Sequence, residues 1–117
     1  MAETNGSILD SIKKSLGIVP EYDAFDDQLV LDVNAAFSTL HQLGFGPSGG
    51  FEIYGSDEKW SDIITEARFN FIKSYITMKV KLTFDPPSSS FALDALNKQI
   101  AEYEWRITSE IETGEEK

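Results

Sequence analysis

The chain has 117 residues, no cysteine, and 20 acids against 10 bases, for a formal net charge of −10. That length holds one hydrophobic core, its apolar runs are too short for a membrane span, and disulfides, thiolate metal sites and cysteine nucleophiles are excluded. So acidic a surface repels phosphates at long range, which argues against tight DNA or RNA binding.

Residues 1–7 are polar and lack the basic-then-apolar order of a secretory signal; 1–6 are expected to form a disordered tail. Ser7 has the character of an N-cap, with Asp10 three residues on. Ile8, Leu9, Ile12 and Leu16 then recur at helical spacing, and Gly17 is a natural stop. After the Val19-to-Asp23 linker, Asp23, Asp26 and Asp27 crowd the positive end of a second helix. Its inward face is Leu29, Val33, Ala36, Phe37, Leu40 and Leu43, with Asp27, Asp32, Asn34 and Ser38 elsewhere. Gly44 ends it.

Residues 44–56 carry five of the eight glycines and a proline, so they read as a loop. Phe51-Glu52-Ile53-Tyr54 alternates like a short extended strand, with no convincing partner strand in the chain. Ser56 or Ser61 is a candidate cap for the next segment. From Ile63 to Phe84 the pattern is helical and apolar on several sides, which suits a central helix. Its polar arc is Asn70, Lys73, Ser74, Thr77 and Lys81, with Arg68 and Lys79 opposite. Asp85-Pro86-Pro87 stops it, and Ser88, Ser89 or Ser90 caps a last helix. Ala92, Leu93, Leu96, Ile100, Tyr103, Ile107 and Ile111 form that helix's inward face, and 112–117 read as a polar, disordered tail. The expected fold is a single all-α domain over 1–117: a bundle of about four helices, with a long glycine-rich loop between the second and third.

Candidate chemistry is thin. Gly44-Phe45-Gly46-Pro47-Ser48-Gly49 matches GxGxxG, but a dinucleotide site needs a strand before it and a helix after it. The single histidine, His41, has no nucleophile within sequence reach. The Asp23/Asp26/Asp27 cluster lacks the alternating carboxylates and turn glycine of a calcium loop, and helix capping accounts for it. No catalytic residue, metal or cofactor is expected.

Charge and aromatic placement say more. No Lys or Arg occurs between Ser15 and Glu58, whereas Ala67 to Phe84 holds Arg68, Lys73, Lys79 and Lys81 and no acid. These segments pair either within the chain or between subunits. Trp105 falls opposite the inward face of the last helix, with Phe91 and Ala95 on its side and Lys98 and Glu102 around them. Either a partner covers these aromatics or a second layer of the same domain does. Trp60 reads as an anchor of the glycine-rich loop to the core.

Taken together, Trp60-Ser61-Asp62, the run KSYITMKVKLTFDPPSSS from Lys73, and the closing EYEWRI from Glu102 carry a resemblance. Over about Ile8 to Ile107 the chain resembles the head-tail connector (adaptor) proteins of long-tailed bacteriophages. The resemblance implies a small all-α structural subunit of the virion, made in the bacterial cytoplasm, without enzyme activity or cofactor. About a dozen copies would form a ring on the portal protein, extend the DNA channel, and receive a downstream connector or tail protein. DNA would pass through without specific binding. The family has no fixed catalytic residues to carry over. The positions nominated for protein contacts are Phe91, Lys98, Trp105, Arg68, Lys79, Phe51 and Tyr54. The rival readings are another small acidic phage assembly protein and an acidic DNA mimic. The basic run at 67–84 argues against the mimic, and the acidity against a DNA-binding small terminase subunit.

Overall fold

A computed structural model describes residues 6–115. Its first helix, α1 (Ile8–Ser15), starts as the sequence demands: the Ser7 hydroxyl accepts from the Asp10 amide at 3.2 Å. Ile8, Leu9 and Ile12 are buried, and the chain leaves α1 through Gly17 at φ +82°, a conformation costly for any residue with a Cβ. Lys13 is also buried, at 1% exposure. Its ammonium donates to the Pro20 carbonyl at 2.8 Å and pairs with Asp26 Oδ1 at 2.7 Å. One lysine thereby ties α1, the linker and the first turn of the next helix together.

That helix, α2 (Asp26–Gln42), buries Leu29, Val33, Ala36, Phe37 and Leu40, the face its periodicity indicates. Asp32, expected off this face, is buried too, at its edge, where it accepts from Gln28 Nε2 at 3.0 Å. The loop that follows forms no strand. Ile53 is fully buried, and the Asn34 side chain takes the role a partner strand would have had. Asn34 Oδ1 accepts from the Ile53 amide at 2.8 Å, and its Nδ2 donates to the Ile53 carbonyl at 2.9 Å. The far end of the loop is held to the start of α1, through Ile8 N to Glu58 O at 3.0 Å and Trp60 N to Gly6 O at 3.2 Å. Trp60 is buried at 2% exposure and donates from Nε1 to Ser11 Oγ at 2.8 Å, so it does anchor the loop to the core.

The segment from Ile63 is not one long helix. Two 3-10 turns, Trp60–Asp62 and Ala67–Phe69, precede α3 (Ile72–Phe84). Neither Ser56 nor Ser61 caps the first turn; the Lys59 amide donates to Asp62 Oδ2 at 2.8 Å instead. The β-branched run Ile63-Ile64-Thr65 disfavours a helix, and Glu66 is extended, with φ −126° and ψ 135°. Ile63, Ile64 and Phe69 are buried individually rather than as one helix face. Arg68 therefore has no place on the wheel of α3.

α3 buries Ile72, Tyr75, Ile76 and Val80 and is the middle element: both α2 and α4 (Ser90–Glu115) pack on it, while α1 touches α2 and α3. Of the three candidate serines, Ser89 caps α4, its hydroxyl accepting from the Ala92 amide at 3.1 Å. Leu96, Ile100 and Ile107 are buried, with Tyr103 and Ile111 half-buried beside them. The two helices run antiparallel, tied by Tyr75 Oη donating to Glu104 Oε2 at 2.8 Å and by an edge-on Phe71–Tyr103 contact. The tail expected from Glu112 is helical as far as Glu115. Ile111 closes over Gly44, whose backbone lies near enough that a Cβ there would sit 3.6 Å from it. The remaining tail positions, 1–5 and 116–117, lie outside the described residues.

Candidate interaction surfaces

A helix packed on one neighbour buries one stripe and leaves the opposite stripe to water or to a partner. On α4, positions 91, 95, 98, 102 and 105 are spaced four and three apart, so they share one stripe, opposite Leu96, Ile100 and Ile107. Phe91 is 85% exposed and Trp105 68%, and Ala95, Lys98 and Glu102 are exposed with them. The second layer that would have covered both aromatics is not supplied by the described residues. At a rise of 1.5 Å per residue, Phe91 and Trp105 stand about 21 Å apart along the helix.

The other nominated positions do not join this stripe. Arg68 is already engaged, bonding Glu66 Oε1 at 2.7 Å and Glu110 Oε1 at 3.2 Å, with its guanidinium over the Phe69 ring. Lys79 lines a shallow pocket between α2 and α3 with Asp32, Thr39 and Thr83. Phe51 is half-buried, edge-on to Phe37. Tyr54 stands exposed on the loop, its amide donating to Glu58 Oε2 at 3.1 Å. The ion pairs of these segments are with near neighbours or with other parts of the chain: Lys81 reaches Asp85 at 3.7 Å, and Lys13, outside the acidic run, pairs with Asp26.

A second exposed apolar group, not singled out from the sequence, lies on the α1–α2 linker and α2. Val19, Tyr22 and Phe25 of the α1–α2 linker and Leu31 of α2 are all exposed. Tyr22, Phe25 and Phe84 stack edge to edge at 5.6 and 5.4 Å. Leu31 was findable, because helical spacing sets it opposite Leu29, Val33 and Ala36. The linker residues were not, since nothing in their local pattern says whether the chain folds back over them.

Two grooves indent the surface. One, of about 660 Å³, lies between α1, α3 and α4 and is lined by Ser11, Trp60, Thr77, Met78 and Tyr103 among others, with no carboxylate or imidazole. The other, of about 410 Å³, is lined by Ser38, His41, Glu52 and Tyr54 among others, but its Asn34 is already bonded to Ile53 and no hydrogen bond links Ser38, His41 and Glu52. Among the described residues no group of three metal-ligating side chains converges, and no helix is long and apolar enough to cross a membrane. Tyr75 has its phenol pKa pushed well up, first by burial and then by its hydrogen bond to Glu104; that pair joins two helices and opens on no cavity.

Residues 8–114 match the family model described as phage connector protein. No curated protein and no solved structure gives a significant match.

Proposed function

The chain belongs to the phage connector family, and from that premise we propose that it is a head-tail adaptor subunit, a structural virion component that forms a ring on the portal. The observation that carries this reading is the span of the family match, which takes in α1 through nearly all of α4. A ring is a closed head-to-tail assembly in which two different faces of each subunit meet, and the exposed apolar groups on α4 and on the linker–α2 edge suit that requirement. The net charge of −10 suits a channel wall along which a duplex slides without being held. The portal lies on one side of such a ring, and the next connector or tail protein on the other.

The test is co-sedimentation of the purified protein with the portal oligomer encoded by the same genome. Saturation near one copy per portal subunit is the expected result. Trp105→Ala should weaken assembly while leaving the melting temperature of the free chain almost unchanged, because the side chain is mostly in water. Absence of binding to the portal, whether free or on DNA-filled heads, would overturn the reading.

A further inference from the structure

Aromatic rings held in water by a firmly tied segment mark a surface for a partner. The α1–α2 linker is such a segment. Its backbone folds into two successive turns, Tyr22 N to Val19 O at 3.1 Å and Asp26 N to Asp23 O at 3.2 Å, and the buried Lys13 holds it through the Pro20 carbonyl. Val19, Tyr22 and Phe25 nonetheless stay exposed. Tyr22 rests edge-on against Phe25 and Phe25 against Phe84, so the three rings form one continuous ridge from the linker to the end of α3. Glu21 and Asp23 flank Tyr22 in the chain, Asp27 follows Phe25 by two residues, and all three carboxylates stand exposed. We infer that this acid-rimmed ridge docks a basic segment of a partner protein, one that carries both Arg or Lys and apolar side chains. The inference goes beyond the adaptor reading and does not depend on it.

Charge commits the surface to that occupant. The linker and α2 belong to a run without a single Lys or Arg. Of the cations on the neighbouring elements, Lys13 is closed against Asp26 and Lys81 against Asp85. That leaves the exposed Lys14, at the end of α1, facing an excess of exposed acid in Glu21, Asp23 and Asp27. A nucleic acid or an anionic lipid surface would meet these carboxylates with the same sign of charge. A second copy is disfavoured on the same ground: it brings a net charge of −10, and in its basic run Arg68 and Lys81 already face acids of their own chain. The ridge and its rim have complementary roles. The rings supply anchors that lose their water on docking, and a guanidinium both stacks on an aromatic face and pairs with a carboxylate. Because the linker is already folded, little ordering is lost on its side when the partner arrives. Leu31, one turn beyond Asp27 on the same stripe of α2, carries the apolar surface along the helix.

The probe is a short fluorescent peptide of Arg, Leu and Gly, compared with peptides in which Glu replaces Arg or Ser replaces Leu, each titrated with the full chain at about 50 mM salt. The first should bind saturably, and the other two at least about tenfold more weakly. Amide NMR shifts on binding should move at residues 19–31 and around Phe84 rather than along α4. Tyr22→Ala should weaken binding about tenfold without a change in melting, because the side chain is already 50% exposed. Glu21→Gln, Asp23→Asn and Asp27→Asn together should weaken it as much. Asp94→Asn, Glu102→Gln and Glu112→Gln remove the same charge from exposed positions of α4 and should change affinity by less than about twofold, since salt screens distant charges. Equal binding of the Ser-containing peptide, shifts centred on α4, equal losses from the two sets of neutralised acids, or no binding of any peptide would each overturn the proposal.

Discussion

Lys13 shows how much one residue can decide. An ammonium at 1% exposure, 2.7 Å from Asp26 and 2.8 Å from the Pro20 carbonyl, is affordable only because both partners are in place. Lys13→Ala should cost about 3 kcal/mol, the low end for a broken buried pair, because Asp26 is a third exposed. A urea titration measures this, and a loss under about 1 kcal/mol would mean the pair is ornamental. Tyr75 gives a signed pH dependence. Its pKa in the folded chain lies above the ordinary value of 10.0, so the folded state holds a proton that the unfolded state gives up. The stability this contributes is whole below pH 10 and falls as pH rises beyond it. The stability gap between the natural chain and Tyr75→Phe should therefore narrow in alkaline denaturation curves. A gap independent of pH would show that the hydroxyl does not titrate differently on folding.

Among the elements, the central loop is the least regular and yet is firmly held. Asn34 offers both an acceptor and a donor to Ile53, as a neighbouring strand would, and Trp60 pins the far end against α1. Asn34→Ala leaves a buried amide and carbonyl without partners, at a cost of about 2 kcal/mol. Hydrogen exchange at the Ile53 amide should speed up accordingly, while the amides of α3 keep their protection. Equal acceleration in both would mean that the loop and bundle open as one unit. The helices themselves were legible, because caps, periodicity and prolines act locally: Ser7, Gly17, Gly44 and Asp85-Pro86-Pro87 bound elements where the pattern says they should. The start of α3 was not. An unbroken apolar pattern at 63–71 reads as helix, whereas Ile63, Ile64 and Phe69 reach the core from two short turns, an outcome decided by packing around Trp60 and Phe45.

On the scale of the whole molecule, charge and shape act together. Both α2 and α4 pack on α3, so the faces they turn away from it are two different surfaces, as head-to-tail association uses. The net charge of −10 predicts that the protein will not retard duplex DNA in a gel at about 50 mM salt, where phosphate-binding proteins hold tightest. Retardation would sink the picture of an unretentive channel wall.

The sequence alone determined the all-α class, the helix stops and which residues share the outer stripe of α4, since each depends on spacing within a single element, and its recurrent patterns carried the family resemblance. It could state that Phe91, Lys98 and Trp105 share a face; it could not state whether anything covers that face. The tertiary structure decided that no other described residue of the chain covers it, together with the buried Lys13–Asp26 tie, the engagement of Arg68 by Glu66 and Glu110, and the exposure of the linker–α2 apolar group. The physical reason is distance along the chain. Arg68 and Glu110 are 42 residues apart, and Asn34 and Ile53 are 19 apart. No local periodicity encodes which of many polar groups meet when the helices pack, because that choice is made by the shared burial of the core.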